Sequence, residues 1–412
     1  MKRIAILLIA TVMLAGITWA QALPEEMVDQ AREAIKISDL TGADQLYKDA
    51  MNGTADEDEY AEIRKEWEEL EGINILLADG RRAIDRQDYP EALKKYTDAI
   101  AAMESAGNEV WFKVEAEALY SMGMVYYKQE QPIEAAEQFR SAMALDAAED
   151  KYGKAIEMVR NKHYSEGHKL YKRKDYGGAY GEYEKAVAVD PSFSSAYYML
   201  ALIEKREGRL SDAERSYQAA VQYDPTHYKS WYGLGLMYSD KGQDSKAIEM
   251  FQRAIDVNPD YEKALYAIAK VYDNQKKTEQ AINALKKAIA IDKKYSNAYE
   301  LLAKIYIDGE RMEETVALLA KLSGPAATNT TYYRLAHAQN ALGNYSEALT
   351  AANHSLAKKS NWAPALIEKG DALAGLKNKS EAIAAFKAAS KDARWKSLAE
   401  YRIAELTKWQ NK

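Results

Sequence analysis

Three prolines, Pro191, Pro225 and Pro259, stand 34 residues apart, and each follows an Asp or Asn (Asp190, Asp224, Asn258). Asp292 continues the beat with Lys293 in the proline's place. Small residues keep the same interval. Ala179, Ala213, Ala247 and Ala281 form one column, and Ala186, Ala220, Ala254 and Ala288 a second. Gly167, Ala201, Gly235, Ala269 and Ala303 form a third. A recurrence of this length marks supersecondary units that cannot bury their apolar faces alone, so the chain must fold as a stacked linear array.

The content of one period says what the unit is. Trp231, Leu234 and Tyr238 are spaced by three and four residues and share a helix face, with Phe251 on the next segment. Small side chains mark where two antiparallel helices cross closely. Gly208 and Gly242 fall where the first helix must stop in a left-handed turn, and Asp-Pro or Asn-Pro ends the second. Gly233 and Gly235 then read as packing glycines inside a helix rather than as a phosphate-binding loop.

The stretch Trp231, Leu234-Gly235, Tyr238, Ala247, Phe251, Ala254 and Pro259 closely resembles the tetratricopeptide repeat. The resemblance implies an all-α fold, a right-handed α-solenoid of helix-turn-helix repeats with a C-terminal capping helix. Repeats are expected to begin near 73, 116, 160, 194, 228, 262, 296, 329 and 363. This divides the chain into an acidic helical N-terminal cap or degenerate repeat (21–72), two extended repeats (73–159), five repeats (160–328), two more (329–396) and a capping helix (397–412). The first two repeats are longer than 34 residues, so extra helix or connection is expected around 104–115 and 147–159. Thr315 and Leu322 replace two of the expected alanines, and "SGPAATNTT" (323–331) cannot remain helical, so an irregular junction is expected there.

The first residues place a basic pair, Lys2 and Arg3, before an apolar run from Ile4 to Trp19 and small residues at Ala20 and Ala22. That pattern predicts a cleaved secretory signal over 1–20 and a soluble exported protein, most naturally periplasmic. Ile17 stands where a lipidated cysteine would be needed, and no membrane insertion of the mature chain is expected. With no cysteine at all, disulfides, thiolate metal sites and a cysteine nucleophile are excluded. Residues 21–72 hold 16 acidic against 5 basic side chains, while 151–412 hold 32 against 41. One end is acidic and the other only dilutely basic, which argues against nucleic acid as a partner.

No catalytic, metal or cofactor site is expected. The repeats fill the chain, and none of the five histidines (His163, His168, His227, His337, His354) pairs with another at i, i+4. His163 falls on the large-residue core column and reads as a packed histidine.

In the family the first helix of each repeat lines the concave surface, where peptides or protein segments bind. The residue after the core aromatic is Tyr120, Tyr164, Tyr198, Tyr232, Tyr266, Glu300 and Tyr333 in successive repeats. Further inward positions hold His168, Leu202, Leu236, Lys270, Lys304 and His337, with Lys205 one helical step on. These residues predict a tyrosine ladder with a positive patch at Lys270 and Lys304, suited to a segment with aromatic or apolar side chains and some acidity. The predicted role is a non-enzymatic protein-interaction scaffold. The alternative is a polysaccharide-binding module of an envelope or export complex, with the tyrosines stacking on sugar faces. Weak self-association is a further possibility, through Trp395 and Trp409 of the final helix.

Overall fold

The computed structural model describes residues 23–107, 109–322 and 324–408, so the signal expected over 1–20 and Trp409 lie outside the described residues. Among the described residues there are 21 α-helices, two single-turn 3-10 segments and no strand. They group into two compact units, one ending at Ile203 and the other beginning at Glu204.

The first unit contains α1 (Pro24–Lys36), α2 (Leu40–Gly53), α3 (Glu57–Asp85), α4 (Tyr89–Ser105), α5 (Phe112–Lys128), α6 (Pro132–Leu145), α7 (Asp150–Lys172) and α8 (Tyr176–Val189), and most of α9 (Ser194–Arg206). They pair in order as antiparallel hairpins, α1 with α2 through α7 with α8. The junction expected at 72/73 falls inside α3, which is one continuous helix of 29 residues. Gly72 weakens a helix without ending it, and the buried residues Leu70, Ile73 and Leu77 hold one face across the point. The two long repeats spend their extra residues differently. After α4 the chain makes a 3-10 turn, Glu109–Trp111, whose Val110 and Trp111 are buried in one cluster with Met27, Ala31 and Ile35 of α1. The second extension is helical: α7 starts at Asp150 and buries Tyr152, Ala155 and Val159 before the register position expected at 160.

The second unit contains α10 (Leu210–Tyr223), α11 (Tyr228–Asp240), α12 (Asp244–Val257), α13 (Glu262–Asn274), α14 (Thr278–Ile291), α15 (Ser296–Asp308) and α16 (Met312–Leu319). It continues with α17 (Asn329–Ala341), α18 (Tyr345–Lys358), α19 (Ala363–Gly375), α20 (Lys379–Ala389) and α21 (Lys396–Lys408). From α11 on, consecutive helices pair as hairpins. The first helices of successive hairpins also touch directly, α11 with α13 and so on to α19, and form one continuous layer. The irregular junction appears after α15. There α16 has only eight residues, a 3-10 turn covers Gly324–Ala326, and Thr328 restarts the helix with a capping box to Thr331.

One pairing rule sets the closeness of the hairpins. Gly80, Gly123, Gly167, Gly235 and Gly370 lie under the rings of Tyr96, Phe139, Tyr183, Phe251 and Phe386 respectively. A Cβ on Gly235 would sit 2.4 Å from the Phe251 ring, so only glycine leaves room. Where the second helix carries a smaller side chain, the first carries alanine instead. Ala269 shares a cluster with Leu285, Ala303 with Leu319, and Ala336 with Ala352.

The same register places the turn residues. Gly208 and Gly242 have positive φ (79° and 70°), as expected. Lys174, Lys276, Glu310 and Lys377 occupy that position in other repeats with φ between 57° and 65°. After α13, the Lys276 amide donates to the Asp273 carbonyl (3.0 Å) and the Lys277 amide to the Tyr272 carbonyl (2.9 Å), which closes the helix end.

Candidate functional site

The ladder positions lie on first helices, with Tyr120, Tyr164 and Tyr198 in the first unit and Tyr232, Tyr266 and Tyr333 in the second. All six are half-buried. Three of them lean inward on the ring of their own hairpin's second helix: Tyr120 on Phe139 (5.5 Å), Tyr164 on Tyr183 (5.6 Å) and Tyr232 on Phe251 (5.6 Å). A second set of rings then joins one rung to the next. Tyr120 meets Tyr152 (5.7 Å), and Tyr164 meets Phe193 (5.0 Å). In the second unit, Tyr232 meets Tyr261 (5.2 Å), Tyr266 meets Tyr295 (5.5 Å) and Tyr333 meets Trp362 (5.3 Å).

Most of these contacts are tilted or edge-on, the geometry that aromatic quadrupoles favour. This second column was not recognised from sequence, although Phe193, Tyr261 and Tyr295 keep the 34-residue interval. Burial raises the Tyr232, Tyr266 and Tyr333 phenols, and raises Tyr295 to about 12. All four stay protonated near neutral pH and can donate hydrogen bonds.

At Glu300 the pattern changes on both sides at once. The ladder residue is a carboxylate, and Thr328 stands where the linking ring would be. The Thr328 hydroxyl donates to Glu300, the Thr331 hydroxyl does so at 3.3 Å, and Arg334 Nη1 lies 3.7 Å from its other oxygen. Arg334 Nη1 is buried with no hydrogen-bond partner among the described residues, and burial lowers its guanidinium from the usual value.

The positive patch expected at Lys270 and Lys304 is not formed as such. Lys304 Nζ is held 2.9 Å from Asp308 and 3.4 Å from Asp273, so its charge is balanced within the layer, while Lys270 is exposed. Lys205 likewise faces Asp240 at 3.6 Å. Leu202 and Leu236 are half-buried apolar positions beside the ladder. His168 stacks on Tyr164 (4.7 Å) and shares a 2.6 Å hydrogen bond with the Tyr183 hydroxyl; burial lowers its pKa and keeps it neutral. His337 bonds the buried Glu368 at 2.9 Å. His163 is buried and bonded to Glu182 at 2.7 Å, a structural histidine as expected. Among the described residues no group of three or more His, Asp or Glu side chains is arranged to hold a metal, and no helix is long and apolar enough to cross a membrane.

The repeat is matched independently by family models. Models of the tetratricopeptide repeat match residues 116–149, 194–227, 228–261 and 274–340. These residues are tetratricopeptide repeats. Among solved structures it is similar to MamA, with 29% identity over 38% of this chain and 91% of MamA and a TM-score of 0.35. It is also similar to YrrB, described as a tetratricopeptide protein with an unusual peptide-binding site, with 14% identity over 45% of this chain and 96% of YrrB and a TM-score of 0.40. PilF of Pseudomonas aeruginosa is 15% identical over 51% of this chain and 96% of its own, with a TM-score of 0.44. No curated protein matches the chain significantly.

Proposed function

We propose that this tetratricopeptide protein is a non-enzymatic interaction scaffold that holds a peptide or protein segment along the layer of first helices. The observation that carries the reading is the state of the ladder tyrosines. Tyr120, Tyr164, Tyr232, Tyr266 and Tyr333 are each braced by one or more neighbouring rings yet keep part of their surface open, and burial keeps the Tyr164, Tyr232, Tyr266 and Tyr333 hydroxyls protonated. A large ring already fixed by packing loses little entropy when a partner lands on it, which is why tyrosine recurs at binding hot spots. Because Lys304 is neutralised, the apolar and aromatic character of a partner should matter more than its acidity. The basic, apolar and small-residue pattern over 1–22 supports export, and the periplasm is the proposed place of work.

Affinity capture from an envelope extract with residues 21–412 tests the reading. A second bait carries Tyr232→Ala and Tyr266→Ala, with its fold checked by circular dichroism. We expect at least one protein captured by the first bait to be depleted about tenfold or more by the second, the loss of two hot-spot rings. Equal capture by both baits would remove the ladder as the binding surface.

A further inference from the structure

The far end of the second unit gathers a set of charges around one buried carboxylate, which the apolar ladder does not need. Glu368 of α19 is only 6% exposed. Its carboxylate accepts from His337 Nδ1 and from Asn340 Nδ2, each at 2.9 Å, both on α17. Asn340 Nδ2 also reaches the Glu368 carbonyl at 2.9 Å. One turn further along α19, Asp371 lies 3.2 Å from Arg402 Nε on α21. Three helices, α17, α19 and α21, are therefore joined by one polar seam. The charged groups acting on Asp371 are Glu368 from its own helix, His337 from α17 and Arg402 from α21, with Glu405 three residues beyond Arg402. The other helices packed on α19, α18 and α20, contribute Leu349, Leu356, Ala382 and Phe386 to the apolar cluster on its other face.

This seam holds two carboxylates a helical turn apart against one guanidinium and one imidazole. With His337 charged the four groups balance. With His337 neutral a net negative charge remains on the buried Glu368 and the half-buried Asp371, where water screens it less well than at the open surface. We infer that the seam is a proton-sensitive latch, which keeps α19 and α21 firmly on α17 in mildly acidic solution and lets that end of the unit loosen as the solution turns alkaline.

The direction follows from the groups themselves. Burial, the largest influence, together with Glu368, lifts Asp371 from an ordinary 3.8 to about 6 despite Arg402 and His337. The hydrogen bond to Glu368 raises His337 from its ordinary 6.5. Both groups bind protons more tightly in the folded seam than in the unfolded chain. The stabilisation is therefore complete below about pH 4 for Asp371 and fades as pH rises through 6, and His337 adds a further loss above 6.5. Most carboxylates act in the opposite sense, since ion pairing lowers them and acid weakens the fold.

Hydrogen exchange of the full chain at pH 5 and pH 8, corrected for intrinsic rates, reads the latch. Protection of α19 and α21 should fall by about tenfold or more between the two, the factor that the Asp371 shift alone gives. The hairpin of α11 and α12 serves as the internal control. Asp371→Asn should flatten most of that dependence and keep α21 protected at pH 8. Arg402→Gln, which leaves Asp371 unanswered, should deepen the loss at pH 8 and hardly change pH 5. Equal protection of wild-type α19 and α21 at both pH values, relative to the control, would overturn the latch without recourse to any variant. So would an Asp371→Asn chain that keeps the full wild-type dependence.

Discussion

The layer of first helices in the second unit has two halves built on the same period from opposite materials. From Tyr228 to Tyr295 it is built on two groups of rings, Tyr228, Tyr232 and Tyr261 with Phe251 beneath and then Tyr266 with Tyr295, packed edge-on or tilted with centroids 4.9–5.6 Å apart. From Glu300 to Arg402 one ring pair remains, Tyr333 on Trp362, and the rest of the equivalent surface is carboxylates, guanidinium groups, an imidazole and hydroxyls joined by hydrogen bonds and ion pairs. The order of helix pairing continues through the crossover, where α16 is cut to eight residues and a 3-10 turn follows it, while the side chains presented between first helices change in kind. An aromatic surface packs without demanding partners and leaves faces open for another molecule. A polar surface must satisfy itself, and its leftover charge titrates. The same scaffold can thus offer an adhesive stretch and a responsive stretch side by side.

The largest effect is expected from removing a ring beneath the aromatic half. Phe251 is 1% exposed and lies on Gly235 while bracing Tyr232. Phe251→Ala should cost about 3–5 kcal/mol, because the glycine opposite has no side chain to fill the space. In the hairpin of α17 and α18, Ala352 already occupies this position and Ala336 stands opposite, so no such ring exists to remove. Chemical denaturation followed by hydrogen exchange should place the loss in α11 to α14. A Phe251→Ala chain as stable as the wild type would mean that the ring is not the keystone of its hairpin.

A smaller effect comes from forcing the aromatic pattern across the crossover. Glu300→Tyr alone strips Thr328 and Thr331 of their acceptor and Arg334 of its counter-charge, and should destabilise by about 1–3 kcal/mol, the cost of a buried polar group left unpaired. Adding Thr328→Tyr supplies a ring partner of the kind that Tyr266 has in Tyr295. The double variant should recover part of the loss, which a thermodynamic cycle on unfolding free energies would reveal as positive coupling. Strictly additive losses would show that the two columns are independent and that the matched change at Glu300 and Thr328 has no energetic meaning.

The fold was legible because every feature that carries it repeats. The glycine and alanine columns, the helix stops at Gly208 and Gly242 and the irregular stretch after Thr315 could each be read by counting in 34s, and the helices pair as that count demands. The ladder tyrosines could be found on the same count. Their braces were overlooked because Phe193, Tyr261 and Tyr295 stand just before or at the start of a helix, outside the stretch that shows helical spacing. Lys304 was misread as a free charge for a different reason. One of its two acids, Asp273, comes from the preceding first helix, 31 residues away, and a single column inspected alone cannot show a partner in the next column. The boundary expected at 72/73 came from counting the register back along the chain, and a count of repeats does not show that α3 runs through that point with Leu70, Ile73 and Leu77 buried on one face.

The smallest effect, and the most controlled, lies at the turn after each first helix. Gly242 ends α11 at φ 70°, and Lys276 ends α13 in the same left-handed conformation at φ 59°. A lysine there crowds its Cβ against the backbone, whereas glycine does not. Lys276→Gly should therefore stabilise the chain by up to about 1 kcal/mol, less whatever the freer unfolded chain takes back. Glu310, at φ 57°, closes α15 at the crossover into the polar half, so Glu310→Gly is the matched substitution there. Because the turn is backbone geometry and owes nothing to the rings or charges presented by the layer, the two gains should agree within a few tenths of a kcal/mol by urea denaturation. A clear gain at Lys276 with none at Glu310 would mean that the two halves differ in their helix framework as well as in their surface, and that their contrast begins deeper than the side chains.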